Sequence, residues 1–255
     1  MTQVTVQPIA GGAIVLDPTL AAQAGGFDPQ WFDADYWRAQ GRAAPTPGGR
    51  GASVFIEAPF GASVLRHYRR GGMAAGLMGD RYLWTGGDRV RAVAEFRLLA
   101  ALRERRLNVP RPIAARYRRH GLYYRADLIT SRIEAAATLA ELVARGAADA
   151  GAAATIGAAL AEFHGAGAYH ADLNAHNVLL RGGAVWLVDF DRGELRDPAR
   201  GWQLGNLARL RRSLVKVGAA AAGEAAFDGA FWTPLMAAYE RALARAEPHF
   251  SKADT

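Results

Sequence analysis

Residues 169–191 read YHADLNAHNVLLRGGAVWLVDFD. Asp172 stands five residues before Asn177, and Asp189 closes an apolar run twelve residues further on. Phosphoryl transfer asks for a carboxylate beside the acceptor hydroxyl and for hard oxygen ligands that hold magnesium against nucleotide phosphates. An Asp, an Asn five positions later and a second Asp on the following hairpin supply that set. A lone aspartate carries no such meaning. Three ligand-type residues at these offsets, separated by the strand-like runs NVLL and AVWLVDF around an RGG turn, do.

The chain has 255 residues, enough for one large domain or two lobes, and 51% of them are hydrophobic, which excludes a disordered protein. No apolar run approaches the roughly 18 residues that would span a bilayer. The N-terminal MTQVTVQPIA lacks a basic segment followed by an apolar one, so no secretory signal is expected. With no cysteines there are neither disulfides nor thiolate metal sites, which fits a cytoplasmic protein without requiring one. The net charge is +7, carried almost wholly by arginine, since Lys216 and Lys252 are the only lysines. A basic surface suits nucleic acid, an anionic membrane or an anionic substrate. The bias of arginine over lysine is chiefly what an Ala-, Gly- and Arg-rich composition brings with it.

Working outward, Asp28-Pro29 opens a predicted helix over 27–40, with Trp31, Phe32, Tyr36 and Trp37 at helical spacing. Its aspartates argue for packing against the domain rather than docking on anionic lipid. Residues 41–51, GRAAPTPGGRG, read as a loop, and 53–68 as a β-hairpin around APFGA. The Gly-rich stretch 69–88 reads as an insertion. A helix follows over 89–107 with Glu95 inside it, then two strand-like runs in 108–130. From Thr138 the pattern turns helical and Ala-rich, and after the Asp189 hairpin it is helical again from Trp202.

This order resembles the protein-kinase-like fold: α+β and two-lobed, with a β-rich N-terminal lobe holding one helix (1–130) and a larger α-helical C-terminal lobe (131–255). More narrowly, the chain is similar to the lipopolysaccharide-core kinases, and within them to the 3-deoxy-D-manno-octulosonic acid (Kdo) kinases. The likeness rests on VLRHYRRGG (64–72), GDRYLWTG (79–86), AEFRLLAALRERRLNVPRPIAA (94–115), YYRADLIT (123–130), YHADLNAHNVLL (169–180), VWLVDFDRGELR (185–196) and WQLGNLARLRRSLVK (202–216).

The resemblance implies roles. Asp172 corresponds to the catalytic base, and Asn177 and Asp189 to the magnesium ligands. His170 corresponds to the histidine that orders the loop, and Glu95 to the helix glutamate that pairs with a phosphate-gripping cation. Gly49 and Gly51 correspond to part of the nucleotide-covering loop. His176, with His164 and His170, fits no zinc spacing and reads as a loop or core histidine. Kinases usually carry a lysine on the third strand, and SVLRHY has none. Arg66 is therefore the candidate for the cation, with Arg69 or Arg70 as alternatives; arginine grips phosphate with a different geometry from an ammonium. DFD replaces the usual DFG. Only about ten residues separate Asp191 from the helix near Trp202, leaving no room for a long activation segment, which argues for a non-peptide acceptor.

The implied reaction uses ATP and Mg2+ and phosphorylates a hydroxyl of Kdo-lipid A, expected at the 4-position, at the cytoplasmic face of the bacterial inner membrane. The protein would be peripheral there, with no nucleic acid and no obligate protein partner. Arg69, Arg70, Arg192 and Arg196 are candidate contacts to the anionic acceptor. Met73, Leu77, Met78, Tyr82, Leu83 and Trp84 could meet the lipid or pack in the core. Three alternatives stand beside this reading. One is a heptose kinase or antibiotic phosphotransferase of the same fold, another a nucleotide-binding pseudokinase scaffold, and the last and weakest a nucleic-acid-binding protein.

Overall fold

A computed structural model describes residues 4–46, 53–69 and 79–246. The chain divides into two compact units, Met1–Glu104 with Pro110–Glu134, and Arg105–Val109 with Ala135–Thr255. The sequence boundary at 130/131 thus lies four residues early, and the short segment 105–109 groups with the second unit. The architecture is α+β.

The first unit is an antiparallel sheet. Its strands are β1 (Thr5–Ile9), β2 (Gly12–Leu16), β3 (Ala43–Pro45), β4 (Ser53–Ala58), β5 (Gly61–His67), β6 (Tyr82–Leu83), β7 (Pro112–His120) and β8 (Tyr123–Ser131). Their order is β1-β2-β7-β8-β5-β4-β3, with β6 pairing to β8. The expected hairpin is here, β4–β5 closing at Ala58↔Gly61, and the two strand-like runs of 108–130 are β7 and β8, which pair down to His120↔Tyr123. Two expectations need correction. The segment 41–51 is not all loop, because Ala43–Pro45 pairs with β4; Pro45 is tolerable there since β3 is an edge strand. The stretch 79–88 is not wholly an insertion, because Tyr82 pairs with Tyr124 and is buried, although Leu83 is exposed.

Helix α1 (Pro18–Gln23) is capped by the Asp17 carboxylate, which accepts from the Thr19 and Leu20 amides. The predicted aromatic helix over 27–40 is broken in two. Asp28 caps a 3-10 turn, Pro29–Phe32, and Asp33 then caps α2 (Ala34–Ala39), since each carboxylate accepts an amide two residues on. The break turns Trp31, Phe32 and Trp37 together onto Ile14, Ile56, Leu65 and Ile129 as one core. The Trp37 indole N–H donates to the Trp31 carbonyl at 2.8 Å, so burying it leaves no orphaned donor. The other face of the sheet is covered by α3 (Arg91–Glu104), which buries Val93, Phe96, Leu99 and Glu95.

The second unit is mainly helical: α4 (Leu139–Ala144), α5 (Ala150–Gly165), α6 (Arg200–Lys216), α7 (Glu224–Phe227) and α8 (Thr233–Ala246), with a π-helical segment, Asp228–Trp232, leading into α8. Thr138 and Glu141 form a reciprocal capping box at the start of α4. Helices α5 and α8 pack at close range. A Cβ on Gly157 would lie 2.1 Å from the Leu235 carbonyl oxygen, so the crossing requires glycine. Three short strands, β9 (Ala137–Thr138), β11 (Val178–Arg181) and β12 (Ala184–Leu187), form the hairpin sheet. β10 (Ala168–Tyr169) pairs with β13 (Glu194–Leu195). These two small sheets hold the loop 170–177 and the segment 188–193.

Candidate active site

In the second unit, the loop between β10 and β11 is fastened by its own side chains. His170 is 1% exposed, and burial pushes its pKa below the usual imidazole range. It is held as the neutral tautomer in which Nε2–H donates to the Val188 carbonyl (3.0 Å) and Nδ1 accepts the Asp172 amide (3.2 Å). One neutral imidazole thus joins the loop carrying Asp172 to the strand end preceding Asp189. Its ring also lies 4.6 Å, centroid to centroid, from Phe190.

The Asp172 carboxylate projects outward, its side chain 67% exposed. The Asn177 side-chain amide donates to the Asp172 carbonyl at 3.0 Å, and Asn177 is buried. That bond fixes the amide plane and turns Oδ1 away from the Asp172 carbonyl. Val188 N–H donates back to the Asn177 carbonyl (3.1 Å), tying Asn177 to the Asp189 segment. Asp189 has φ +63°, a left-handed conformation uncommon for a non-glycine residue and characteristic of functional segments. Arg192, just past Asp191, is left-handed as well, with φ +59°.

These residues suit a divalent cation of the magnesium type. A carboxylate and an amide oxygen are hard ligands, and magnesium is commonly held by one or two protein groups together with substrate phosphates and water. Among the described residues no three His, Asp or Glu side chains converge as a closed metal cage. His176 is exposed and belongs to no such cluster.

Helix α6 supplies residues that the linear motif did not reveal. Asn206 accepts the His170 amide (3.2 Å) and donates to its carbonyl (3.0 Å), and the Ser213 hydroxyl accepts the Ala175 amide (3.0 Å). Arg209 lies between them, with Nη1 3.7 Å from Asp172 Oδ1. Asn174 adds a 3.1 Å bond from its side-chain amide to Asp172 Oδ2. Asn206 and Ser213 lie seven residues, about two helical turns, apart along one edge of the apolar stripe Leu207, Leu210, Leu214, and that polar repeat was the available signal. Arg196 lies over the Tyr169 ring at 3.5 Å and pairs with Glu194, so its guanidinium is engaged within β10–β13.

In the first unit the structure brings Arg66 and Glu95 together as an ion pair between β5 and α3. Glu95 is 3% exposed and Arg66 18%. The Tyr68 hydroxyl donates to the same carboxylate oxygen (2.5 Å), accepts from Arg66 (2.6 Å), and its ring lies 4.5 Å under the guanidinium. Arg69 points elsewhere, to the opposite face of the sheet. Gly49, Gly51 and Arg70, and Met73, Leu77 and Met78 with them, lie outside the described residues.

The chain matches the model of the "Lipopolysaccharide kinase (Kdo/WaaP) family" over residues 34–239. It is 53% identical over 212 residues to a 3-deoxy-D-manno-octulosonic acid kinase of Stenotrophomonas maltophilia strain K279a, covering 81% of each chain. It is 52% identical over 214 residues to the enzyme of that name from Xanthomonas campestris pv. campestris strain B100, again covering 81% of each. Among solved structures it is similar to WaaP in complex with acyl carrier protein, with a TM-score of 0.51 and 16% identity, covering 92% of this chain and 99% of that one. That likeness is one of fold.

Proposed function

Because the chain belongs to the lipopolysaccharide kinase (Kdo/WaaP) family, we propose that it transfers the γ-phosphate of ATP to a hydroxyl of the Kdo sugar of Kdo-lipid A, expected at the 4-position. The observation that carries this reading in the structure is the loop 170–177, where the buried Asn177 amide bonds the backbone of the solvent-facing Asp172 and a neutral His170 fastens that backbone to Val188.

In the proposed chemistry the acceptor oxygen attacks the γ-phosphorus, the bond to the ADP oxygen breaks, and Asp172 Oδ takes the acceptor's proton. Asn174 and Arg209 orient that carboxylate. Magnesium, held by Asn177 and Asp189, would neutralise phosphate charge. Arg66 takes the place of the strand lysine toward the nucleotide phosphates, held in position by Glu95 and Tyr68. His170 moves no proton in this scheme, because both ring nitrogens are engaged and burial keeps the ring neutral.

Among the described residues no helix is long and apolar enough to cross a membrane. A lipid acceptor is then reached by peripheral attachment at the inner membrane's cytoplasmic face, for which the +7 charge is suited. Incubation with Mg-ATP and Kdo-lipid A, followed by mass spectrometry of the lipid, tests the proposal. A gain of one phosphate supports it. No gain, with heptosylated core phosphorylated instead, would reassign the acceptor. Nucleotide binding without turnover on either lipid would make the protein a scaffold.

A further inference from the structure

Strand β5 exposes successive side chains to opposite faces of the sheet. Arg66 turns toward α3 and Glu95, while Leu65, His67 and Arg69 turn to the other face. On that second face lies a cavity of about 410 Å³, bounded by the 3-10 turn and α2 on one side and by β5, β7 and β8 beneath. Its apolar floor is Phe32, Val54 and Leu65. Its walls hold Arg38, Arg69, Arg116 and Arg118 with His67, against two aspartates, Asp33 and Asp127.

The register explains how this charge is built in. Arg116, Asp127 and His67 occupy one row across β7, β8 and β5. Asp127 is 6% exposed and both its oxygens are engaged: Oδ1 by His67 Nδ1 (2.7 Å), Oδ2 by Arg116 Nε (2.9 Å). Arg116 is further fixed by the Pro29 and Phe32 carbonyls (3.4 and 3.3 Å). The hydrogen bond from Asp127 holds the His67 pKa above the usual imidazole range, with Asp80 adding to it at 3.1 Å. Asp127 and Asp80 thus balance His67 and Arg116, and Arg38 pairs with Asp35 at 2.5 Å, whereas Arg118 and Arg69 have no ion pair among the described residues. A cationic excess over an apolar floor, held by rigid strands, is the composition of an anion site and not of a neutral core.

We propose that this cavity binds a phosphate monoester, with the unpaired Arg118 and Arg69 as its principal donors, Arg38 shared with Asp35, and Arg116 fixed by Asp127. Phosphate suits it because guanidinium forks bind phosphate oxygens bidentately and a monoester carries close to two negative charges at neutral pH, matching the excess of cations. The phosphate could be borne by a lipid headgroup or by a soluble molecule. The site lies on the sheet face away from Arg66 and Glu95, so it is separate from the proposed nucleotide contact, and the inference does not depend on the acceptor assignment.

The test is binding to the full chain without turnover. Inorganic phosphate is titrated by calorimetry, and co-sedimentation is measured with phosphatidylcholine vesicles containing or lacking phosphatidic acid, whose headgroup is a monoester. Wild type should bind one or both probes. The double variant Arg38→Gln/Arg118→Gln, altered only at exposed side chains, should bind at least about tenfold more weakly, as expected when charge-assisted hydrogen bonds are lost. Binding of phosphate but not of vesicles assigns a soluble ligand; sedimentation with phosphatidic acid vesicles, relieved by millimolar phosphate, assigns a lipid one. Binding of neither probe, or equal binding by the double variant when its circular dichroism matches wild type, overturns the proposal.

Discussion

The Arg66–Glu95 pair offers a perturbation in which stability and activity should part company. Glu95 is 3% exposed and accepts from both Arg66 and Tyr68, while Arg66 is 18% exposed and rests on the Tyr68 ring. Removing one partner of a buried pair costs about 3–5 kcal/mol, because the other charge is left in a low-dielectric site. Glu95→Leu should fall at the low end, about 3 kcal/mol, since the guanidinium keeps Tyr68 and some solvent. Arg66→Met should fall at the high end, about 4 kcal/mol, since it strands a carboxylate that is almost wholly buried. Replacing both, Arg66→Met/Glu95→Leu, removes the unpaired charge altogether and should cost less than either single change. Urea denaturation followed by circular dichroism would report the three stabilities, and the coupling should be about 4 kcal/mol or more. Phosphotransfer behaves differently. All three variants lack the pair proposed to grip phosphate, so each should lose roughly 10²–10³ in kcat/KM for ATP, the double variant included. Additive stability costs, within about 0.5 kcal/mol, would refute the buried-pair argument. Recovery of turnover in the double variant would refute the phosphate-gripping role while leaving the pair as a packing device.

Asp172→Asn should lower kcat by roughly 10²–10⁴ with little change in stability, because the side chain is 67% exposed; near-wild-type turnover in folded protein would remove Asp172 from the role of base. Asp189→Asn should weaken the magnesium dependence of nucleotide binding, read by titrating magnesium at fixed ATP, and an unchanged curve would argue against its role as ligand. Gly157→Ala should destabilise by about 1–3 kcal/mol despite alanine's better helix propensity, since its Cβ would meet the Leu235 carbonyl at 2.1 Å; a variant as stable as wild type in urea would show that α5 and α8 can separate freely. Burial pushes His164 down to about 4 from 6.5, so the unfolded chain takes up that proton first as pH falls. Stability should therefore decline between pH 6.5 and about 4, by about 3 kcal/mol for this group, and be unaffected above 6.5. His164→Gln should flatten that acid limb by the same amount, and an unaltered limb would exclude His164 as its source.

The loop 169–191 was legible because its spacing answers to chemistry and not to packing: a base, an amide ligand and a carboxylate must sit at set offsets whatever surrounds them. The hairpin at 53–68 and the two strands within 108–130 were legible from apolar runs bounded by turns. What could not be read arises where tertiary contact decides. Ala43–Pro45 is a three-residue edge strand with a proline, too short to show a period, and it exists because β4 offers it a partner. β1 carries Pro8 and exposed side chains, and it is defined by its pairing with β2. The aromatic helix was expected to be continuous because helical spacing is preserved across Asp33, yet that carboxylate caps a new helix and ends the old one. Arg209 lies 37 residues from Asp172 in sequence and 3.7 Å from it in space, a proximity no local pattern encodes.

Strand β5 gives the cationic composition a structural meaning beyond net charge. Arg66 and His67 are adjacent in sequence, yet the period of two sends one to the pair with Glu95 and the other to the row with Asp127. In each case a buried carboxylate holds a cation in place, and in each the positive side is in excess or turned outward. An arginine is better suited than a lysine to both settings, since its planar fork can serve a carboxylate, a tyrosine hydroxyl and an incoming phosphate at once, while an ammonium acts as a point charge. The absence of lysine from this unit then has a physical consequence as well as a compositional origin. On the proposed reading the same residue type would supply the nucleotide-side cation on one face and the anion cavity on the other, with Glu95 holding Arg66 and Asp127 holding Arg116. A substitution that shifts β5 along its neighbours by one residue would exchange these faces and disable both sites together.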